Sequence, residues 1–238
     1  MVVQALRPVR RAVLLLLIAP VLALAPAGCG PLIDLGGSEG PVAHYALTPL
    51  DELPRDFDQR GVVLFVEEPT LPGGLRSSAI AVRSSETRIE YLSGAQWAER
   101  PSEMIRRQLI ETLEKAGLAQ IVGQGSLEIA SDYRLKSDIR AFQADAAEGP
   151  ARAQARIAVV VKLVRTAPTE IIATRRFEAS AQADSRDLDR TIAALDAALH
   201  VILTDVVMWL DDTALPAAEP DAPPSVVSTP DPHIPGSS

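Results

Sequence analysis

Residues 133–141 read YRLKSDIRA, residues 153–163 read AQARIAVVVKL and residues 171–181 read IIATRRFEASA. Side chains alternate between the two faces of a strand, so period-two patterning shows which residues share a face. Tyr133, Leu135, Ile139 and Ala141 share one face; Ala153, Ala155, Ile157, Val159, Val161 and Leu163 share a second; Ile171, Ala173, Phe177, Ala179 and Ala181 share a third. This alternation predicts three long strands with a common apolar side. Gly149-Pro150 and Pro168 stand where the two connecting turns belong, which makes the three an antiparallel meander. The opposite side would show Arg134, Lys136, Asp138 and Arg140, then Arg152, Gln154 and Arg156, then Arg176, Glu178 and Gln182. An antiparallel sheet can leave such a face in water; a docking surface is the alternative use.

The chain on either side of the meander supplies what its apolar face packs against. Downstream, Leu188, Ile192, Leu195, Leu199, Ile202, Val206 and Trp209 recur at alternating spacings of four and three, which predicts a long helix. Asp184 or Ser185 could cap its start, with Asp187 and Asp189 in the first turn to meet the helix dipole. A heptad stripe can form a coiled-coil seam, but Ala193, Ala194, Ala197 and Ala198 beside it suit close packing on a sheet, which is favoured. Upstream, Tyr45–Leu47 and Val62–Val66 read as short strands, the second central because it is nearly all apolar; Ile80–Val82 and Ile89–Leu92 read as a further pair. Pro101 suits a first helical position, Ile105, Leu109, Leu113 and Ala116 share a helical face, and Gly117 stops it. Leu118–Val122 follows as another strand. The expectation is a single α+β domain at residues 44–213, with a mainly antiparallel sheet and two amphipathic helices packed on one face.

The flanks have different chemistry. Arg7, Arg10 and Arg11 precede a 14-residue apolar run from Ala12 to Ala25, followed by Pro26-Ala27-Gly28-Cys29 with the only cysteine of the chain. Basic start, short apolar run and small residues before a cut site make an export signal at residues 1–28. As a helix the run would reach only about 21 Å, short of a bilayer core of about 30 Å. The cysteine directly after it resembles the lipobox of bacterial lipoproteins, in which the thiol is acylated. Such a lipid would attach the chain stably to a membrane. Residues 29–43 read as a lipidated cysteine and a flexible tether, and residues 214–238, with seven prolines, as a disordered tail.

Net charge is −8, and the signal carries three arginines with no acid, so the chain from Cys29 onward comes to −11. That balance repels nucleic-acid phosphates, which removes nucleic acid as a partner. With Cys29 acylated there is neither a disulfide nor a cysteine-ligated metal. His44, His200 and His233 have no metal-ligand spacing among them, and no nucleophile elbow, phosphate loop or dinucleotide fingerprint occurs. Glu67-Glu68 and Asp211-Asp212 could do acid-base work, but Glu67 and Glu68 would point to opposite faces if their strand continues, and solvated acids are the better account. The residues support neither an enzyme nor a cofactor beyond the lipid on Cys29.

The order of segments is similar to a known family. A lipobox, then Tyr45-Ala46-Leu47, Leu71-Pro72, Ile80-Ala81-Val82-Arg83, Ile89-Glu90-Tyr91, Trp97-Ala98-Glu99, an amphipathic helix, Asp132-Tyr133-Arg134-Leu135, a meander and a terminal helix resemble the ABC-type transport auxiliary lipoproteins, which include the paraquat-inducible protein C lipoproteins. The resemblance covers residues 43 to 210. In place of the family's usual aromatic residue and Asp-Arg-Pro segment after Leu-Pro, this chain has Gly73-Gly74-Leu75-Arg76-Ser77-Ser78.

The resemblance implies an auxiliary docking role in lipid transport, alongside an ABC ATPase, a permease and a periplasmic protein of the mammalian cell entry type. It also implies a lipid anchor in the inner leaflet of the outer membrane, facing the periplasm. Leu71, Pro72, Leu75, Tyr91 and Trp97 cluster around predicted loop ends and are the candidate partner contacts, aromatic residues being favoured at interface hot spots. Exposed strand edges or the heptad stripe could support a ring or dimer. The competing readings are an assembly or scaffold lipoprotein of a secretion, pilus or cell-wall system and an exported hydrolase.

Overall fold

A computed structural model describes residues 41–123, 130–146, 153–183 and 187–216. Cys29, Gly149-Pro150, Arg152, Asp184, Ser185, His233 and the tail beyond residue 216 lie outside the described residues. The elements are β1 (Ala43–Tyr45), β2 (Val63–Val66), β3 (Ala79–Ser85), β4 (Arg88–Trp97), α1 (Pro101–Ala116), β5 (Gln120–Val122), β6 (Tyr133–Ala146), β7 (Ala153–Arg165), β8 (Glu170–Ala183) and α2 (Leu188–Trp209). The meander is present: β6, β7 and β8 pair antiparallel over their whole lengths, from Tyr133 opposite Arg165 to Ala153 opposite Ala183.

The expectation of a mainly antiparallel sheet is overturned. The sheet is mixed: β1–β4, β2–β5, β2–β6 and β3–β6 are parallel, and only β3–β4, β6–β7 and β7–β8 are antiparallel. The connections give the reason. Between β2 and β5 the chain passes through the β3–β4 hairpin and α1, a connection long enough for β5 to return beside β2 in the same direction. β2, Thr70 and β3 then lie along one edge of β6, pairing Leu64 with Tyr133, Thr70 with Asp138 and Val82 with Ala144. They make one interrupted lane, from which the segment after Thr70 loops out before the chain rejoins at β3.

Two bulges move side chains across the sheet. Ile139 opposes Val159 but Ala141 opposes Ala158, so Arg140 is the extra residue and the core-facing set changes from odd to even numbers. Phe142, opposite Ile157, therefore enters the core, where Ala141 was expected on the apolar face. A second shift at Leu163/Val164 leaves Ile172 unpaired and places Ile171 opposite Val164 on the far side, where Ile171 is 58% exposed.

Both helices cover the odd-numbered face of β7. Ile105 and Leu109 of α1 and Leu199, Ile202, Leu203 and Val206 of α2 meet Ile139, Ile157, Val159 and Val161 around a residual cavity of only about 10 Å³. The heptad stripe of α2 is thus used on the sheet, and Ala194 and Ala198 are the buried alanines beside it. By length and composition Leu188–Asp212 could cross a membrane, but the apolar stripe along it is buried inside the domain. Trp97 packs on Phe142 with ring centroids 5.3 Å apart, and Phe177 meets the edge of Trp209 at 5.7 Å. Gly117 ends α1 in the left-handed conformation (φ 67°), and its amide donates to Leu113 and Glu114 carbonyls. Asp187, expected in the first turn, is the N-cap of α2: its side chain accepts from the Asp189 amide at 2.9 Å.

Candidate docking surface

Because alternate residues of the meander face the helices, the even-numbered residues of β7 and their neighbours form an open, charged face. Glu67 runs beside β6, its amide donating to the Leu135 carbonyl, and its carboxylate lies 3.7 Å from Arg134 and 3.3 Å from Lys136. Asp138 pairs with Arg140 at 2.5 Å, Asp145 holds Arg83 through two hydrogen bonds, and Glu178 pairs with Arg176 on its own strand. Lys162 sits directly across from Lys136, and Arg156 sits between Gln143 and Ser180. Like charges opposite one another on neighbouring strands are destabilising. Two shallow clefts lie along β7. One, of about 180 Å³, is lined by Glu67, Glu68, Lys136, Asp138, Val160 and Lys162 among others; the other, of about 350 Å³, is lined by Arg83, Asp145, Gln154, Arg156 and Glu178 among others.

The five predicted contact residues divide by burial. Trp97, Leu75 and Leu71 belong to the core, at 2%, 4% and 6% exposure. Pro72 and Tyr91 are exposed, and the Tyr91 hydroxyl donates to the Gly74 carbonyl at 3.0 Å, tying the 3-10 turn Gly73–Leu75 to β4. Tyr91 lies on the β3–β4 hairpin, whose residues 84–91 are all exposed, so this arm stands clear of the packed layers. Ile89, two residues before Tyr91, is exposed at 44%, beside 48% for Tyr91 itself. Sequence reasoning did not single out Ile89. The signal it carried was an apolar and an aromatic residue at spacing two in a strand whose neighbours, Arg88 and Glu90, are charged.

A third cluster joins the start of the domain to the helices. Tyr45 donates to Asp189 at 2.7 Å, and this bond to a carboxylate raises the phenol above its ordinary pKa. The Thr48 amide and hydroxyl both donate to Asp196, while His200 Nε2 donates to the Thr48 carbonyl at 2.8 Å. Arg55 and Arg60 reach Asp211, whose side chain is 8% exposed, and Arg55 also pairs with Asp212. At the start of α1, Arg100 lowers the pKa of Glu103 by a direct hydrogen bond. The His44 ring lies within hydrogen-bond distance of the Gln96 side chain, and no group of residues able to hold a metal ion occurs among the described residues. These contacts fasten segments together rather than assembling a nucleophile, a base and an orienting group.

The family model described as ABC-type transport auxiliary lipoprotein component matches residues 45–207, from the end of β1 to near the end of α2. Among solved structures, a Xanthomonas campestris protein of family DUF330 is 26% identical, with a TM-score of 0.64, over 71% of this chain and 94% of that one. A second, titled only as an uncharacterised protein, shares the fold at 14% identity and a TM-score of 0.58, over 72% of this chain and 99% of its own. No curated protein matches the sequence.

Proposed function

We propose that this chain, which belongs to the ABC-type transport auxiliary lipoprotein family, is a membrane-anchored docking component with no chemistry of its own. The observation that carries this reading is the closed core. A lipid-sized ligand needs a pocket of about 300 Å³ or more, and the apolar space between helices and sheet is about 10 Å³. Among the described residues, the space between helices and sheet therefore holds no cargo, and the larger clefts are open and lined by charge, as suits surfaces offered to a partner. In this reading the cargo is lipid, moved by an ABC ATPase and a permease with a periplasmic protein of the mammalian cell entry type. The acyl group on Cys29 would hold the chain at the inner leaflet of the outer membrane. The segment between Cys29 and Val42 spans at most about 45 Å when extended, which sets the reach of the domain from the membrane.

The partner contact we assign is the β3–β4 arm with Ile89 and Tyr91, flanked by Pro72. Large apolar side chains held in water on a projecting hairpin suit a hot spot, which loses water on docking. The experiment is recovery of transport subunits from crosslinked native envelopes by the wild-type chain and by an Ile89→Ser/Tyr91→Ser variant of equal abundance. The variant is expected to recover about ten-fold less of the periplasmic partner. Equal recovery overturns the assignment of the arm.

A further inference from the structure

The acidic chain carries a basic surface. On the open face of the meander the pairs Arg140–Asp138, Arg83–Asp145 and Arg176–Glu178 cancel. Arg134 and Lys136 then share the carboxylate of Glu67, Glu68 borders the cleft that holds Lys162, and Arg156 and Lys162 make no ion pair among the described residues. The remainder is a net positive face on a chain of net charge −8. Charge of this sign is costly to assemble here, because Lys162 faces Lys136 directly across the β6–β7 ladder. Acidic residues lie on the other side, with Asp189, Asp196 and Asp205 all on α2.

We infer that the open face of β6–β8 is a second docking surface, and that its occupant is an extended acidic segment of a partner protein lying along β7. The inference rests on the docking reading above and adds the chemistry of a partner to it. Arg156 and Lys162 lie on one face of one strand six residues apart, which is about 20 Å, and each lines its own shallow cleft. Two acidic positions on an extended segment span that distance, and the floor between them, Ala158 and Val160, is short and apolar. An anionic lipid surface fits less well, since it would meet Glu67, Glu68, Asp138 and Glu178 together with the cations, whereas an extended segment can set its two acids over Arg156 and Lys162 alone. Interspersed acids suit a partner with a matching pattern.

The test uses the full chain carrying Cys29→Ser, so that no acyl anchor contributes. The probe is a labelled extended peptide with glutamates at two positions six residues apart, a lysine peptide of the same pattern being the control. Binding of the glutamate peptide is expected to weaken as salt rises, by about ten-fold or more in Arg156→Glu/Lys162→Glu, and by less in Arg156→Gln/Lys162→Gln. Thermal melts establish that both variants fold. Equal binding by the charge-reversed variant, no binding by the unsubstituted chain, or equal binding of the lysine peptide overturns the inference. So does co-sedimentation with phosphatidylglycerol vesicles that depends on Arg156 and Lys162 when the glutamate peptide does not bind. Envelope crosslinking with the same variant separates the two readings. Transport subunits recovered equally by both chains leave the docking role standing and remove this face from it; no subunit recovered by either chain removes the docking role itself.

Discussion

The two faces of the meander are built from the same strands, residue by alternate residue, and differ in what covers them. On the helix side, Ile139, Ile157, Val159, Val161 and Leu163 are at most 4% exposed and the residual space is about 10 Å³. On the other side, alternate residues of the same strands hold Lys136, Arg156, Lys162 and Arg176 beside two shallow clefts, with Lys136 paired to Glu67 and Arg176 to Glu178 of its own strand. The comparison separates stability from function. Apolar packing on one face holds the fold, which leaves the other face and the β3–β4 arm free to carry exposed charge, Ile89 and Tyr91.

The sharpest way to break this division is to open the closed side. Trp97→Ala removes a side chain 2% exposed and packed on Phe142, and should cost about 3–5 kcal/mol, lowering Tm by about 10 °C in calorimetry. A loss under about 1 kcal/mol would mean the core is loose. Asp187→Ala should cost about 1 kcal/mol in denaturant unfolding, because it leaves the Asp189 amide without its cap. On the open face the sign reverses. Lys162→Glu replaces a like-charge pair with an opposite one across from Lys136 and should raise stability by about 0.2–1 kcal/mol while weakening acidic-peptide binding. Stability lost alongside binding would instead make Lys162 a packing residue. Ile89→Ser/Tyr91→Ser, although it removes two large side chains, should change unfolding by no more than about 1 kcal/mol, chiefly through the lost Tyr91–Gly74 hydrogen bond.

The smallest expected effect concerns the fastening of the domain's first strand. Tyr45 has a raised pKa in the folded protein, chiefly through its bond to Asp189, so the folded state holds that proton more tightly than the unfolded chain. The contribution is complete below the ordinary tyrosine range near 10 and is lost as pH rises through the folded value. Ultraviolet titration should show one phenol ionising late, and Asp189→Asn should return it toward the ordinary range.

The long elements were legible because period and burial agree over many residues. Six apolar residues at every second position, from Ala153 to Leu163, mark β7, and seven stripe residues mark α2. The parallel ladders were not legible, since strands of three or four residues such as β1, β2 and β5 carry no pattern that reveals a neighbour's direction. Nor were the bulges, because the extra residues Arg140 and Ile172 alter pairing without breaking composition, and so exchange Ala141 for Phe142 in the core. Much of the open face followed from the alternation once the meander was recognised. Lys162 did not, because it interrupts a Val-Val-Val-Lys-Leu-Val run that reads as buried on both sides. Leu71, Leu75 and Trp97 show the limit for sites: an apolar residue at a loop end has the same letters whether it faces a partner or the core.

The most direct measurement of the docking account is crosslinking of the full-length chain in native envelopes, with Cys29→Ser as the unanchored control and mass spectrometry of the bound proteins and lipids. The account predicts recovery of transport subunits, weakened without the anchor, and no lipid held by the folded part. Recovery of secretion, pilus or wall components with no transport subunit, or of a phospholipid bound in stoichiometric amount by the Cys29→Ser chain, would contradict it.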